Sequence, residues 1–337
     1  MNFPVRTATV SRHRRWIGWC VFGLLALPFA AWAQSAPVDS APSAPERQSR
    51  DNAWWTGPML ANSAATLPQG HYLIEPYLFD AHSKHADGFG SLTYINYGLM
   101  DRLTIGAIPV FGYNRVDGGP SASGIGAGDL SLLAQYRLTQ FQEGSWLPTI
   151  SIQLEETFPT GKYDRLRNRP ADAQGSGAYT TILQINTQTY FWMPTGRILR
   201  MRFNVSQAYS RRVDVTGVSV YGTGQGFRGH AKPGSSFYAN AAWEYSLTQN
   251  WVLALDLTYR HNRNTRVSGT DTSDPLGLPG QQVVRANSGP SVAFAFAPAI
   301  EYNINANLGV LFGTRVILGN RRTERSVTPA LAINYVH

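Results

Sequence analysis

Two sets of ionisable side chains stand out in this sequence. Glu75, Asp129, Glu155, Glu244, Asp256 and Glu301 recur among apolar neighbours, and so do Arg137, Arg200, Arg202, Arg260 and Arg315. Six acids against five arginines nearly balance, so a strongly ion-selective surface is not indicated. Such a set reads in two ways: a water-filled path lined by mixed charge, or a paired network that fills an interior and stiffens its wall. Other candidate chemistry is thinner. His82 and His85, flanked by Asp80 and Asp87, are ligand-type residues, but no spacing fixes them and a solvated loop accounts for them. No metal is expected. His71 and His261 are isolated and read as rim or interface residues. Ser288 and Ser291, or His261 near Ser246 and Ser268, have the residue types of a hydrolase but lie in no nucleophile motif. The run Gly124–Gly128 lacks the third-glycine spacing of a dinucleotide loop and opens a strand rather than a helix, so no cofactor is expected.

The elements that must position these residues are legible from composition and period. The chain has 337 residues, 43% hydrophobic and only 15% charged, a charged fraction low for an ordinary cytoplasmic enzyme. Part of that bias sits in residues 1–33. Arg6, Arg12, Arg14 and Arg15 precede the apolar run Trp16–Ala30, and Ala31-Trp32-Ala33 fits a small-residue cleavage site, the layout of a signal peptide. Cleavage removes four of the 29 basic residues and no acidic one, leaving 25 against 21. It also removes Cys20, the sole cysteine, which excludes disulfides and thiol chemistry from the remainder. The remaining arginines are scattered, so nucleic acid is not an expected partner. Residues 34–66 are rich in Ala, Pro and Ser at their start, and the segment reads as a flexible periplasmic N-terminal tail.

Over 67–337 the sequence breaks into segments of period-two alternation. In Trp251–Asn262, Trp251, Leu253, Leu255, Leu257 and Tyr259 share one face, while Val252, Ala254, Asp256, Thr258 and Arg260 share the other. Twelve such strands are expected, at 71–80, 91–99, 103–111, 129–139, 147–158, 179–192, 198–210, 235–247, 251–262, 289–303, 307–318 and 326–337. Tight links at 100–102, 140–146, 193–197, 248–250 and 304–306 alternate with longer stretches at 81–90, 112–128, 159–178, 211–234, 263–288 and 319–325. The implied fold class is all-β: a transmembrane antiparallel up-and-down barrel with short periplasmic turns and long extracellular loops. Arginine facing lipid would be costly, which turns the ionisable set inward. Trp192, Tyr209, Trp243, Tyr245, Trp251, Tyr259 and Tyr302 are then candidates for the interfacial aromatic belts. The loops 159–178, 211–234 and 263–288 are candidate constrictions.

Specific strings carry a family resemblance. Trp55-Thr56-Gly57-Pro58 through Leu67-Pro68-Gln69-Gly70-His71, Gly126-Ala127-Gly128-Asp129-Leu130 running into Tyr136-Arg137-Leu138, and Phe158-Pro159-Thr160-Gly161-Lys162-Tyr163 followed by Gly175-Ser176-Gly177 together resemble the outer-membrane proteins grouped as the meta-pathway of phenol degradation family. That family is in turn distantly similar to fatty-acid and aromatic-hydrocarbon transport barrels. Turn chemistry alone also explains these glycines and prolines as rim architecture. The resemblance implies a barrel that passes or binds small, often hydrophobic molecules, and brings no catalytic residue with it. The last strand resembles the terminal strand by which such barrels meet the outer-membrane assembly machinery, with His337 in place of the usual terminal Phe. The resulting expectation is a non-enzymatic outer-membrane channel for small, hydrophobic or aromatic solutes, with membrane lipid around it. A structural or surface-recognition barrel with a plugged lumen is the second reading, and an outer-membrane hydrolase the third.

Overall fold

The computed structural model describes residues 45–272, 282–320 and 322–337. The expected leader and residues 34–44 of the expected tail lie outside the described residues. Chain order runs β1 (Tyr72–Ser83), β2 (Ala86–Met100), β3 (Leu103–Ile108), β4 (Val110–Val116), β5 (Gly126–Ala127), β6 (Leu130–Thr139), β7 (Thr149–Phe158), β8 (Thr180–Trp192) and β9 (Ile198–Ser210). It continues with β10 (Val213–Thr216), β11 (Phe227–Lys232), β12 (Ser236–Ser246), β13 (Trp251–Asn262), β14 (Arg266–Asp271), β15 (Gln282–Asn287), β16 (Ser291–Asn303), β17 (Leu308–Leu318) and β18 (Ser326–Val336).

Neighbours pair antiparallel in the order β1-β18-β17-β16-β13-β12-β9-β8-β7-β6-β3-β2, and β1 also pairs with β2, so the sheet closes on itself. β3 and β4 are one stave interrupted at Pro109, which has no N–H for the ladder. β5 and β6 are likewise one stave, interrupted at Gly128 and Asp129. The result is a closed barrel of twelve staves, as the alternation predicts. Closure satisfies every edge, which a sheet in hydrocarbon requires.

The faces sort as the pattern demands. On β13, Leu257 is 45% exposed on the outside and its neighbour Asp256 is fully buried inside. Ile74, Leu78, Leu154, Leu183, Phe203, Phe312 and Leu331 continue the apolar exterior, and Ala297, Ala332, Asn186 and Asn240 belong to the interior set. Trp251 and Tyr302 meet on the exterior with ring centroids 4.6 Å apart. Trp192 departs from the expected belt: it shares parity with Gln188 and Tyr190, and its Nε1 donates to the Gln48 carbonyl at 2.9 Å.

Three expected outer loops are built differently from the sequence reading. The stretch 81–90 is mostly ladder, since β1 and β2 pair up to His82 opposite Asp87, leaving a turn at Lys84-His85. The stretches 211–234 and 263–288 contribute a four-stranded antiparallel sheet in the order β10-β11-β14-β15. It carries β9, β12, β13 and β16 upward in the same order, and has its own core of Val213, Val215, Phe227, Ala231 and Val267. These stretches are therefore wall rather than constriction, because each is long enough to extend a hairpin and carries alternating apolar residues to bury. Part of the second, 273–281, lies outside the described residues.

Candidate functional site

The segment read as a flexible tail threads the lumen over its described part, 45–66. Composition misleads there because a segment poor in apolar residues need not make its own core when a barrel wall supplies partners. Ala53, Ala61 and Ala64 are buried, small enough for a chain to pass through a filled interior. The wall holds the backbone directly. Glu301 Oε2 accepts from the amides of Thr56 at 2.8 Å and Gly57 at 3.2 Å. Asp256 Oδ2 accepts from the Leu60 amide at 3.2 Å. Arg202 Nη1 donates to the Ala61 carbonyl at 2.8 Å, Asn204 Nδ2 to Asn62 at 3.0 Å and Gln135 Nε2 to Ser63 at 2.9 Å. These partners come from four staves (β6, β9, β13 and β16), so the segment is a plug fixed across the barrel.

Beneath it the charges pair. Arg200 makes a two-pronged contact with Glu244, with Nε to Oε2 at 2.7 Å, and Arg202 Nε lies 3.2 Å from the same oxygen. The Arg200 guanidinium sits 4.5 Å from the centre of the Trp55 ring, on the plug. Asn240 Nδ2 donates to Asp256 Oδ1 at 3.0 Å. All of these charged groups are buried. Buried ions persist where partners replace water, and here the plug backbone supplies part of that replacement.

The eleven expected lumen residues therefore divide. Arg200, Arg202, Glu244, Asp256 and Glu301 are brought together around the plug. Glu75 accepts from Asn334 Nδ2 at 3.1 Å and lines a cavity of about 210 Å³ beside residues 56–67. Glu155, Arg260 and Arg315 line a larger chamber of about 500 Å³ on the outer side of the plug. Met59, Leu60 and Asn62 contribute to its floor, and Tyr77, Phe79, Leu92 and Tyr94 form one apolar wall. Arg137 is half-buried in no ion pair among the described residues. Asp129 does not line the path. It sits at the stave interruption and ties down the loop 159–178, accepting from the Gly161 amide at 3.0 Å, the Ser176 amide at 2.8 Å and the Ser176 hydroxyl at 2.9 Å.

That loop folds inward at the mouth. Gly112 and Gly126 face each other across β4 and β5, and a Cβ on either would fall within 2.6–2.8 Å of Gln174, so their bare backbones make its seat. Asn114 Nδ2 donates to the carbonyls of Ala171 at 3.2 Å and Ala173 at 2.9 Å. Asp172 accepts from the Ser123 amide at 2.7 Å, and that bond, with Lys162 nearby, holds its carboxyl below the usual range. Tyr221 donates to the Ser176 carbonyl, and burial together with nearby Asp129 pushes its hydroxyl up to about 12.

The remaining candidates fall apart spatially. His82 contacts Asp80 and Asp87, each at 3.2 Å, on the exposed first hairpin, and no metal-holding cluster occurs among the described residues. Ser291 accepts from Asn262, and Ser246 donates to the Thr248 carbonyl. The plug residues were missed because sequence reasoning assigned the tail by composition. Trp54-Trp55 and Met59-Leu60 were the available signal, since a solvated tail has no use for four large apolar side chains in seven residues.

Comparison with known proteins agrees with this architecture. Residues 61–323, more than half of the chain, match the profile of the family described as "Putative MetA-pathway of phenol degradation", and the chain belongs to that family. Among solved structures it is similar to the COG4313 outer membrane channel from Pseudomonas putida F1, with 15% identity, 83% of this chain and 100% of that one covered, and a TM-score of 0.59. Weaker likenesses are to the NanC porin (8% identity, 78% and 98% covered, TM-score 0.42) and the CymD monoaromatic hydrocarbon channel (10%, 80% and 88%, TM-score 0.34). No curated protein sequence matches significantly. The protein is an outer-membrane β-barrel.

Proposed function

We propose that the barrel is a non-catalytic conduit through which small solutes of apolar or aromatic character cross the outer membrane, with the segment 45–66 as its internal gate. The observation that carries this reading is the chamber of about 500 Å³, a volume suited to a small molecule. One wall is apolar and aromatic (Tyr77, Phe79, Leu92, Tyr94), and its floor belongs to a segment with no covalent link to the wall, whose hydrogen bonds to it can be exchanged for water. A channel from Pseudomonas putida F1 of similar fold agrees with a transport role. The eleven ionisable residues act in this reading as plug anchors, chamber lining and, for Asp129, loop tether. The C-terminal strand is the surface offered to the assembly machinery.

The test is solute entry into liposomes carrying the purified protein. A small aromatic solute is expected to enter faster than a sugar of equal size, and deletion of residues 45–66 to raise entry of both. Failure of either protein to pass any solute would overturn the reading in favour of a plugged structural barrel, the alternative that the hydrogen-bonded plug itself supports.

A further inference from the structure

The chamber holds two arginines whose charge the wall does not answer. Arg260 on β13 and Arg315 on β17 both line it and stand within electrostatic reach of one another, and neither makes an ion pair among the described residues. Arg315 is mostly buried and its Nε has no hydrogen-bond partner. Arg260 lies 4.9 Å from the centre of the Tyr238 ring, and Tyr238 is near Arg315 as well. The one carboxylate in the lining, Glu155, is on β7, which stands diametrically opposite β17 in the ring of twelve. It accepts from Gln153 at 3.4 Å. Contrast the lower cluster, where Arg200 and Arg202 share Glu244. Two guanidinium forks that face one chamber, with its single carboxylate on the far wall, present donors suited to an anion, since guanidinium binds planar carboxylates by paired N–H donors.

The surroundings specify the rest of the molecule. Tyr77, Phe79, Tyr94 and Tyr238 surround the same chamber, so a ligand carrying its charge at one end meets aromatic surface at the other. Long-range charge points the same way. The outer stretches 81–90, 112–128, 159–178, 211–234, 263–288 and 319–325 carry sixteen Lys and Arg against eight Asp and Glu. The plug and inner turns (45–71, 100–102, 140–146, 193–197, 248–250 and 304–306) carry four of each. A positive mouth concentrates anions before they reach the chamber.

We infer that the chamber is a binding site for small aromatic carboxylates, with Arg260 and Arg315 taking the carboxylate and the tyrosine wall taking the ring. This rests on the conduit reading for its purpose but not for its test. Titration calorimetry on the full detergent-solubilised protein compares benzoate with its neutral counterpart benzyl alcohol. Benzoate is expected to bind about ten-fold more tightly or better, as two charge-assisted hydrogen bonds would give. In R260Q and R315Q the preference should fall several-fold, and in R260K and R315K, which keep the charge but lose the paired donors and guard against misfolding, it should fall less than in the Gln variants. Equal binding of the two probes, no binding of benzoate, or a preference untouched by both Gln variants would overturn the inference. Liposomes that admit neither probe, from protein that still binds benzoate, would sink the conduit reading and leave this site standing.

Discussion

Arg202, in the middle of β9, donates to the carbonyl oxygen of Ala61 at 2.8 Å, joining the barrel wall to a point 141 residues earlier in the chain. The same side chain reaches Glu244, so one guanidinium links plug and wall. Replacing it with Gln should leave the Arg200–Glu244 pair intact while removing a charged hydrogen bond from the plug. Such bonds contribute roughly 1.5–3 kcal/mol. R202Q is therefore expected to raise the plug-released population by about ten-fold or more, read as more frequent openings in planar bilayers. Unchanged opening frequency would show that Arg202 does not retain the plug.

Glu301 offers a graded test of the same retention, because one of its oxygens accepts two plug amides. A Gln carbonyl can accept both without the charge, whereas Ala leaves them unsatisfied at roughly 1–3 kcal/mol each. Plug release should rise in the order wild type, E301Q, E301A. The only native cysteine is Cys20, in the expected leader, so a Ser63→Cys reporter labelled with a maleimide reads release cleanly. Equal labelling rates in all three backgrounds would refute the role.

The barrel was legible in the sequence because membrane strands must alternate. Leu253, Leu255 and Leu257 against Ala254 and Asp256 leave only one orientation in lipid, and the alternation of tight links with long stretches gives the hairpin order. The plug was not legible. Its contacts are backbone groups meeting side chains such as Glu301 and Asn204, some 140 to 250 positions away, and backbone groups leave no mark on residue type. For the same reason Asp129 was assigned to the lumen by its neighbourhood, although its partners lie in the loop beyond β7.

Gly126 should be the less tolerant half of the seat for Gln174. An added Cβ there falls 2.8 Å from Gln174 Cγ, whereas at Gly112 it meets the far end of the side chain, Oε1, at 2.6 Å. The amide end can swing away by rotation beyond Cγ, whereas moving the Cγ takes a change of χ1, which swings the whole side chain out of its seat, or a shift of the backbone. G126A is expected to unseat the loop 159–178 and open the bonds after Arg165 and Arg167 to trypsin, with G112A cleaved more slowly and the barrel itself resistant in both. Cleavage at the wild-type rate in G126A would count against the seat.

Asp172 makes the loop acid-sensitive. Its folded carboxyl titrates below the ordinary value of 3.8, chiefly because it accepts the Ser123 amide. The stabilisation is therefore complete above the unfolded value and is lost as pH falls through the lower, folded one. Hydrogen exchange at the Ser123 amide should quicken, relative to its intrinsic rate, on acidification below about pH 4. D172N should exchange faster than wild type at neutral pH, with little further change in acid; matching profiles for the two proteins would exclude the carboxylate as the cause.

His337 joins the seam between β1 and β18 that closes the barrel. Its ring stacks on Tyr72, with centroids 5.1 Å apart and planes 3° from parallel. The backbones of the same two residues exchange hydrogen bonds at 2.9 and 3.2 Å. The ring contact is worth about 0.5–1.5 kcal/mol, and it is supplied by planarity rather than by the imidazole nitrogens. H337F should then fold as well as the wild type or better, while H337A should lower the midpoint of heat-modifiable gel migration by a few degrees and reduce the yield of folded barrel in vivo. If H337A refolds in detergent like the wild type yet accumulates poorly in cells, the terminal ring acts through assembly rather than closure. Loss in both settings assigns it to the Tyr72 stack.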